Sequence, residues 1–184
     1  THGKVILENT HPILSENVAV VHNGIIENHD QIRLELKKQN VIFETTTDTE
    51  VIPHLLSNSM KMTNNFFDAC VSVVDKIKGA YAFAAIHSLH EEIFVARKTS
   101  PLVLGIGDNF NIVGSDAQSI SQIVNEVIYL NDGDYAILNK TNIQIYDSNK
   151  SLVEREKINI KSNLNFLNKD GFKHFMEKEI HEQP

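Results

Sequence analysis

Between Gly79 and Tyr146 the chain is broken into short apolar runs separated by turn residues, and this limits the fold more than any other feature. Residues 80–86, 92–96, 102–106, 110–114, 127–130, 134–138 and 142–146 are each about one strand long, and most follow one another at hairpin distance. The helical patterns lie mainly ahead of these runs. Residues 27–39 set Ile32, Leu34 and Leu36 among charges, and 64–77 carry Phe67, Cys70, Val71 and Val74 as an apolar stripe at helical spacing. Alternating strand–helix units would need a helix between successive strands. The pattern therefore predicts an α+β layered domain rather than alternating strand–helix units.

Smaller signals complete the outline. Residues 18–22 read as a buried strand that ends in a turn at Asn23-Gly24, and 41–45 as a second short strand. Thr47-Asp48-Thr49-Glu50 has the capping-box pattern and predicts a helix start, with Pro53 about a turn inside to kink it. Ser115-Asp116-Ala117-Gln118 predicts another helix, running to about Asn125. From Ser148 the chain turns polar, rich in Lys and Asn, and reads as an irregular exit arm.

At 184 residues the chain has the length of about one domain and is long enough to bury a core. Its 17 Lys and Arg against 24 Asp and Glu leave a formal charge of −7, which argues against binding to nucleic acid. No apolar run approaches the length of a membrane span, so no membrane partner is expected. A single cysteine, Cys70, excludes an internal disulfide framework and fits a reducing, cytoplasmic setting. The first residues, Thr1-His2-Gly3, lack an initiator Met, and a polar helical run ends at Pro184; the expectation is a piece of a longer protein.

Three segments carry candidate chemistry. Asn23-Gly24 is either a tight turn or, with a side-chain amide and a backbone N–H at one spot, an oxyanion hole for acyl transfer. Asp48 is either a first-turn acid favoured by the helix dipole or a partner for a ligand's ammonium group. Thr1-His2-Gly3, with Asn9-Thr10-His11-Pro12 after it, is either disordered or a source of backbone donors for a carboxylate. The remaining signals are weak. His87 and His90 fit a surface loop and no zinc pattern, so no metal is expected. Gly105-Ile106-Gly107 lacks the third glycine of a dinucleotide fingerprint, and Cys70 reads as an inert core thiol.

Taken in order, these segments resemble the class II glutamine amidotransferases, whose glutaminase domains carry an N-terminal nucleophile. The resemblance rests on Thr1-His2-Gly3, Asn9-Thr10-His11-Pro12, His22-Asn23-Gly24-Ile25-Ile26-Glu27-Asn28 and Thr47-Asp48-Thr49-Glu50. Lys78-Gly79-Ala80-Tyr81, Arg97-Lys98-Thr99-Ser100-Pro101, Gly114-Ser115-Asp116 and Asn131-Asp132-Gly133-Asp134 extend it. The exit segment from Lys173 to Pro184 is similar to the linker of members that aminate fructose 6-phosphate to glucosamine 6-phosphate.

The resemblance implies a four-layer αββα sandwich, incomplete at its N-terminus. It implies a glutaminase domain over residues 1–165 and an exit arm over 166–184, leading toward a sugar-isomerase half. L-glutamine is the implied substrate and fructose 6-phosphate the acceptor of the other half; no cofactor is implied, and the parent is expected to be a homodimer. Asn23 and Gly24 take the oxyanion role. Thr1, His2, Gly24 and Asp48 bind substrate, with Thr1 and His2 at the α-carboxylate and Asp48 at the α-ammonium. The nucleophilic Cys is expected upstream of Thr1, so this polypeptide alone is expected to be inactive. Amidophosphoribosyltransferases share the Asn-Gly and Asp-Thr-Glu elements but not the exit segment. A non-catalytic amino-acid-binding module of the same fold is the other alternative.

Overall fold

The computed structural model describes residues 6–160. The expected sites at Thr1 and His2, and the exit arm at 166–184, lie outside these residues. Among the described residues eleven strands form two antiparallel sheets. The first holds β1 (Ile13–Ser15), β2 (Val18–Ile26), β3 (Gly79–His87), β4 (Ile93–Lys98), β8 (Tyr135–Leu138), β9 (Ile143–Tyr146) and β10 (Leu152–Val153), adjacent in that order. The second holds β11 (Lys157–Asn159), β7 (Glu126–Tyr129), β5 (Val103–Ile106) and β6 (Asn111–Gly114).

Three buried clusters separate four layers. The helices α1 (His29–Lys38), α2 (Val51–Thr63) and α3 (Phe66–Lys76) pack Leu36, Leu56 and Val73 against Val20, Phe83 and Phe94 of the large sheet. The other face of that sheet meets the small sheet through Val95, Ala136 and Leu138 against Leu104, Ile128 and Leu130. A short α4 (Ala117–Ile120) covers the outer face of the small sheet, where Ile120 and Val124 meet Val103 and Val127. This is the expected αββα order. Alternate residues of each sheet serve different layers, which a period-two side-chain pattern allows. No helix among the described residues is long and apolar enough to cross a membrane.

Several expectations need correction. Asn23-Gly24 is not a turn: β2 runs straight through it, with Asn23 opposite Ala82 and Gly24 opposite Tyr81. Gly24 holds φ +117°, and a Cβ there would overlap the Ala80 carbonyl, so glycine serves a close approach of two strands rather than a reversal. Residues 41–45 form no strand, because their donors are taken elsewhere; the Glu50 carboxylate accepts the N–H groups of Glu44 (2.7 Å) and Thr45 (2.9 Å). Glu50 therefore does not close a capping box on Thr47, although a 3-10 turn over Asp48–Glu50 does lead into α2. Pro53 lies in the first turn of α2, where its missing N–H removes no helical bond, and the helix continues to Thr63.

The helix expected to reach Asn125 stops at Ile120; the Ser119 and Ser121 hydroxyls bond the carbonyls of Asp116 and Gln118 in competition with the helical ladder. His87 is not on a surface loop but ends β3, 7% exposed, with Nδ1 accepting the Leu89 N–H. The arm after Ser148 is not irregular throughout. The Asp147 carboxylate accepts N–H groups of Asn149 and Ser151 and turns the chain into β10, and β11 then crosses to pair with β7.

Candidate functional site

Strand β2 organises the site. Val18, Val20, His22 and Ile26 face the helices and are buried, whereas Val21, Asn23 and Ile25 face outward and are exposed. A cleft of about 160 Å³ opens beside Asn23, lined also by His11, Phe83, Leu102, Gly114 and Ser115. It brings the Asn-Gly strand alongside the loop after β4 and the end of β6, segments more than 75 residues apart in sequence. The Ser100 hydroxyl of that loop also approaches Gly24.

β1 covers only the first residues of β2, pairing with 18–20. Beyond them the Asp48–Glu50 turn packs against β2. Asp48, 2% exposed, accepts the Ile26 N–H through Oδ2 at 2.6 Å. The carboxylate is thus neither a simple first-turn acid nor turned away to solvent; it lies two residues along β2 from Gly24. Asp48 does not line the cleft beside Asn23.

The turn is held from behind. Arg33 of α1 donates to the carbonyls of Thr45 (3.1 Å) and Thr47 (2.8 Å), and its guanidinium lies 4.2 Å from the centre of the Phe43 ring. Glu50, 2% exposed, takes two backbone N–H groups and the Thr45 hydroxyl (2.7 Å), with His54 and Arg33 nearby at 3.5 and 3.7 Å. Burial pushes its carboxyl up, but the His54 ring, the two N–H groups and the hydroxyl outweigh that and hold it at about 2.

Sequence reasoning assigned no side-chain role to three residues that meet here. His22 Nδ1 lies 2.9 Å from the Thr49 hydroxyl, and His11 Nε2 lies 3.3 Å from the same oxygen. Burial pushes the His22 ring down to about 4, against the opposing pull of Asp48, so it is neutral near pH 7; burial also lowers His11. A signal was present in the sequence. His22 falls on the inward alternation of Val18 and Val20, where a polar side chain must find a partner. No cluster of His, Cys, Asp and Glu suited to a metal ion occurs among the described residues.

The profile of the glutamine amidotransferase domain matches residues 5–122. The glutamine–fructose-6-phosphate aminotransferase (isomerizing) of Idiomarina loihiensis is 43% identical over the whole of this chain, which corresponds to 30% of that protein's length. The enzyme of the same name from Xanthomonas campestris pv. campestris is 42% identical, again over the whole chain and 30% of its own length. Among solved structures, the glutamine phosphoribosylpyrophosphate amidotransferase of B. subtilis, complexed with ADP and GMP, superposes with a TM-score of 0.70. It is 26% identical, and the match covers 81% of this chain and 34% of that one. The chain thus spans 30% of the length of these aminotransferases.

Proposed function

The chain belongs to the glutamine amidotransferase domain family, and on that premise we propose that it forms the glutaminase part of an enzyme that converts fructose 6-phosphate to glucosamine 6-phosphate. The observation that supports the reading is the hydrogen bond from Ile26 N–H to Asp48, two residues along β2 from Gly24 and within the stretch matched by the family profile. The Asn23 side-chain amide and the Gly24 N–H receive the oxyanion that forms when a thiolate attacks the side-chain amide carbon of L-glutamine. Asp48 supplies negative charge for the substrate's α-ammonium, and Thr1 and His2 contact its α-carboxylate. The tetrahedral adduct collapses to a thioester and releases ammonia; water then frees glutamate.

The attacking thiol is not Cys70. That side chain is wholly buried in α3, and burial pushes its pKa well up. No other cysteine occurs among these 184 residues to act as nucleophile, so this polypeptide alone is expected not to turn glutamine over. Residues 1–165 constitute the glutaminase unit and 166–184 an arm toward the sugar-isomerase half. The parent works in the cytoplasm as a homodimer. A phosphoribosylpyrophosphate acceptor is the second reading, favoured by the superposition on the B. subtilis enzyme. Fructose 6-phosphate is preferred because similarity to the aminotransferases runs the full length of the chain.

The test is titration calorimetry of this chain with L-glutamate, beside a glutaminase assay on the full-length parent. Binding of L-glutamate is expected, and Asn23→Ala in the parent is expected to lower turnover about 10²–10³-fold. An Asn23→Ala parent with unchanged turnover overturns the oxyanion assignment.

A further inference from the structure

We infer that Thr49 is a positioning residue: its single hydroxyl links His11 and His22 in a directional hydrogen-bond relay that aligns the three segments around the glutamine site. This rests on the reading given under Proposed function. His11 lies in the Asn9–Pro12 segment, read in the sequence with Thr1-His2-Gly3 as a source of backbone donors for a carboxylate. His22 precedes Asn23-Gly24, the oxyanion side, and Thr49 follows Asp48, the ammonium side. All three meet at one oxygen, 3.3 Å from His11 Nε2 and 2.9 Å from His22 Nδ1. A second link runs in parallel: the Asn9 amide donates to the Thr46 hydroxyl (2.9 Å) and accepts the Thr46 N–H (3.0 Å).

Proton counting gives the relay a direction. A hydroxyl has one proton to donate, and a neutral imidazole carries one N–H and one bare nitrogen. His22 is 5% exposed, and its Nε2 is buried with no hydrogen-bond partner among the described residues. A buried orphan N–H is rarer than a buried orphan acceptor. The proton of His22 therefore sits on Nδ1 and is donated to Thr49. With its oxygen accepting there, the Thr49 hydroxyl has its one proton left for His11 Nε2, and the relay assigns it there, which leaves the His11 proton on Nδ1. The negative charge of Asp48 bears on both rings. Thr49 is 2% exposed, at a site where valine would fill the same volume. Only the hydroxyl distinguishes the two, and it is the hydroxyl that both rings engage.

The relay is tested by long-range proton–nitrogen NMR of the histidine rings in the unmodified chain near pH 7. The expected result is a protonated His22 Nδ1 and a bare His11 Nε2; a bare His22 Nδ1 or a protonated His11 Nε2 overturns the relay. Its positioning role is tested by titration with L-glutamate. Thr49→Val is expected to weaken binding about tenfold or more, and Thr49→Ser, which keeps the hydroxyl, to stay within about threefold. Equal binding by the folded Val variant overturns the positioning role. A Thr49→Ser variant as weak as Thr49→Val shows that packing rather than the hydroxyl matters, and overturns it as well. Failure of the unmodified chain to bind L-glutamate sinks the glutaminase reading and with it any role in positioning substrate, while the ring tautomers still decide the relay.

Discussion

Asp48 Oδ2 accepts the backbone N–H of Ile26 at 2.6 Å, so the acid proposed for the substrate's ammonium group also closes the open edge of the strand that carries Asn23-Gly24. On the proposed reading one carboxylate serves strand geometry and site charge together, and two substitutions separate these duties. Asp48→Asn keeps an oxygen acceptor for Ile26 and loses the charge. L-glutamate affinity is expected to fall about 10–100-fold with little change in stability. Asp48→Ala also leaves the Ile26 N–H unpaired and is expected to cost about 1–3 kcal/mol of folding free energy. Calorimetric titration and urea unfolding of both variants check the pair; equal stability losses would contradict the separation.

Gly24→Ala attacks the same strand from its other edge. The new Cβ would run into the Ala80 carbonyl and press on the Ser100 hydroxyl, at a backbone angle that L-residues rarely adopt. A loss of about 1–3 kcal/mol or more is expected from the strained angle and the overlap. Gly107→Ala is a useful control, because there the atoms nearest the added Cβ are those of the Phe110 ring and no positive φ is involved. Thermal unfolding should rank Gly24→Ala as the more damaging; the reverse order would mean that β2 and β3 separate easily at this point.

Acid should unfold the protein in two overlapping windows. His22 is held down at about 4 in the folded chain, from an ordinary 6.5. Between these values the unfolded chain binds a proton that the folded chain does not. Stability from this group is therefore complete above about pH 6.5 and is lost as pH falls toward 4. Glu50, held at about 2 from an ordinary 4.5, acts the same way lower down, with its contribution complete above about pH 4.5 and lost toward 2. Urea midpoints measured from pH 7 to 3 should fall throughout. His22→Gln should flatten the upper part of the curve, and Glu50→Gln the lower part. An upper slope that survives His22→Gln would assign it to other groups.

Cys70 should resist thiol reagents in the native chain and react fully in denaturant, since it is buried and its thiol stays protonated near neutrality. Cys70→Ala is expected to leave L-glutamate binding unchanged. Rapid labelling of the folded chain that also blocks binding would place Cys70 at the site after all.

The layered architecture was legible because it follows from side-chain period. All seven apolar runs after Gly79 became strands, and the helices at 27–39 and 64–77 formed within a few residues of their expected limits. What escaped depends on distant partners. The Asn-Gly preference for turns gave way to the approach of Ala80, and the strand propensity of 41–45 to the Glu50 carboxylate. β10 and β11 are two and three residues long, too brief to show a pattern. At the site, motif order brought Asn23, Gly24 and Asp48 forward. The Thr49 meeting point did not emerge, because its two histidines lie 38 and 27 residues away and nothing local pairs them.

The stretch from Asp147 to Ile160 has a practical consequence. It supplies the last strand of the large sheet and then, within a few residues, the first strand in the order of the small one, before Ile160 closes over the outer core. It is a stitch through both halves of the sandwich. Trimming the chain at 147, where the apolar runs end, would strip an edge strand from each sheet at once; a folding unit that keeps both edges reaches to residue 160.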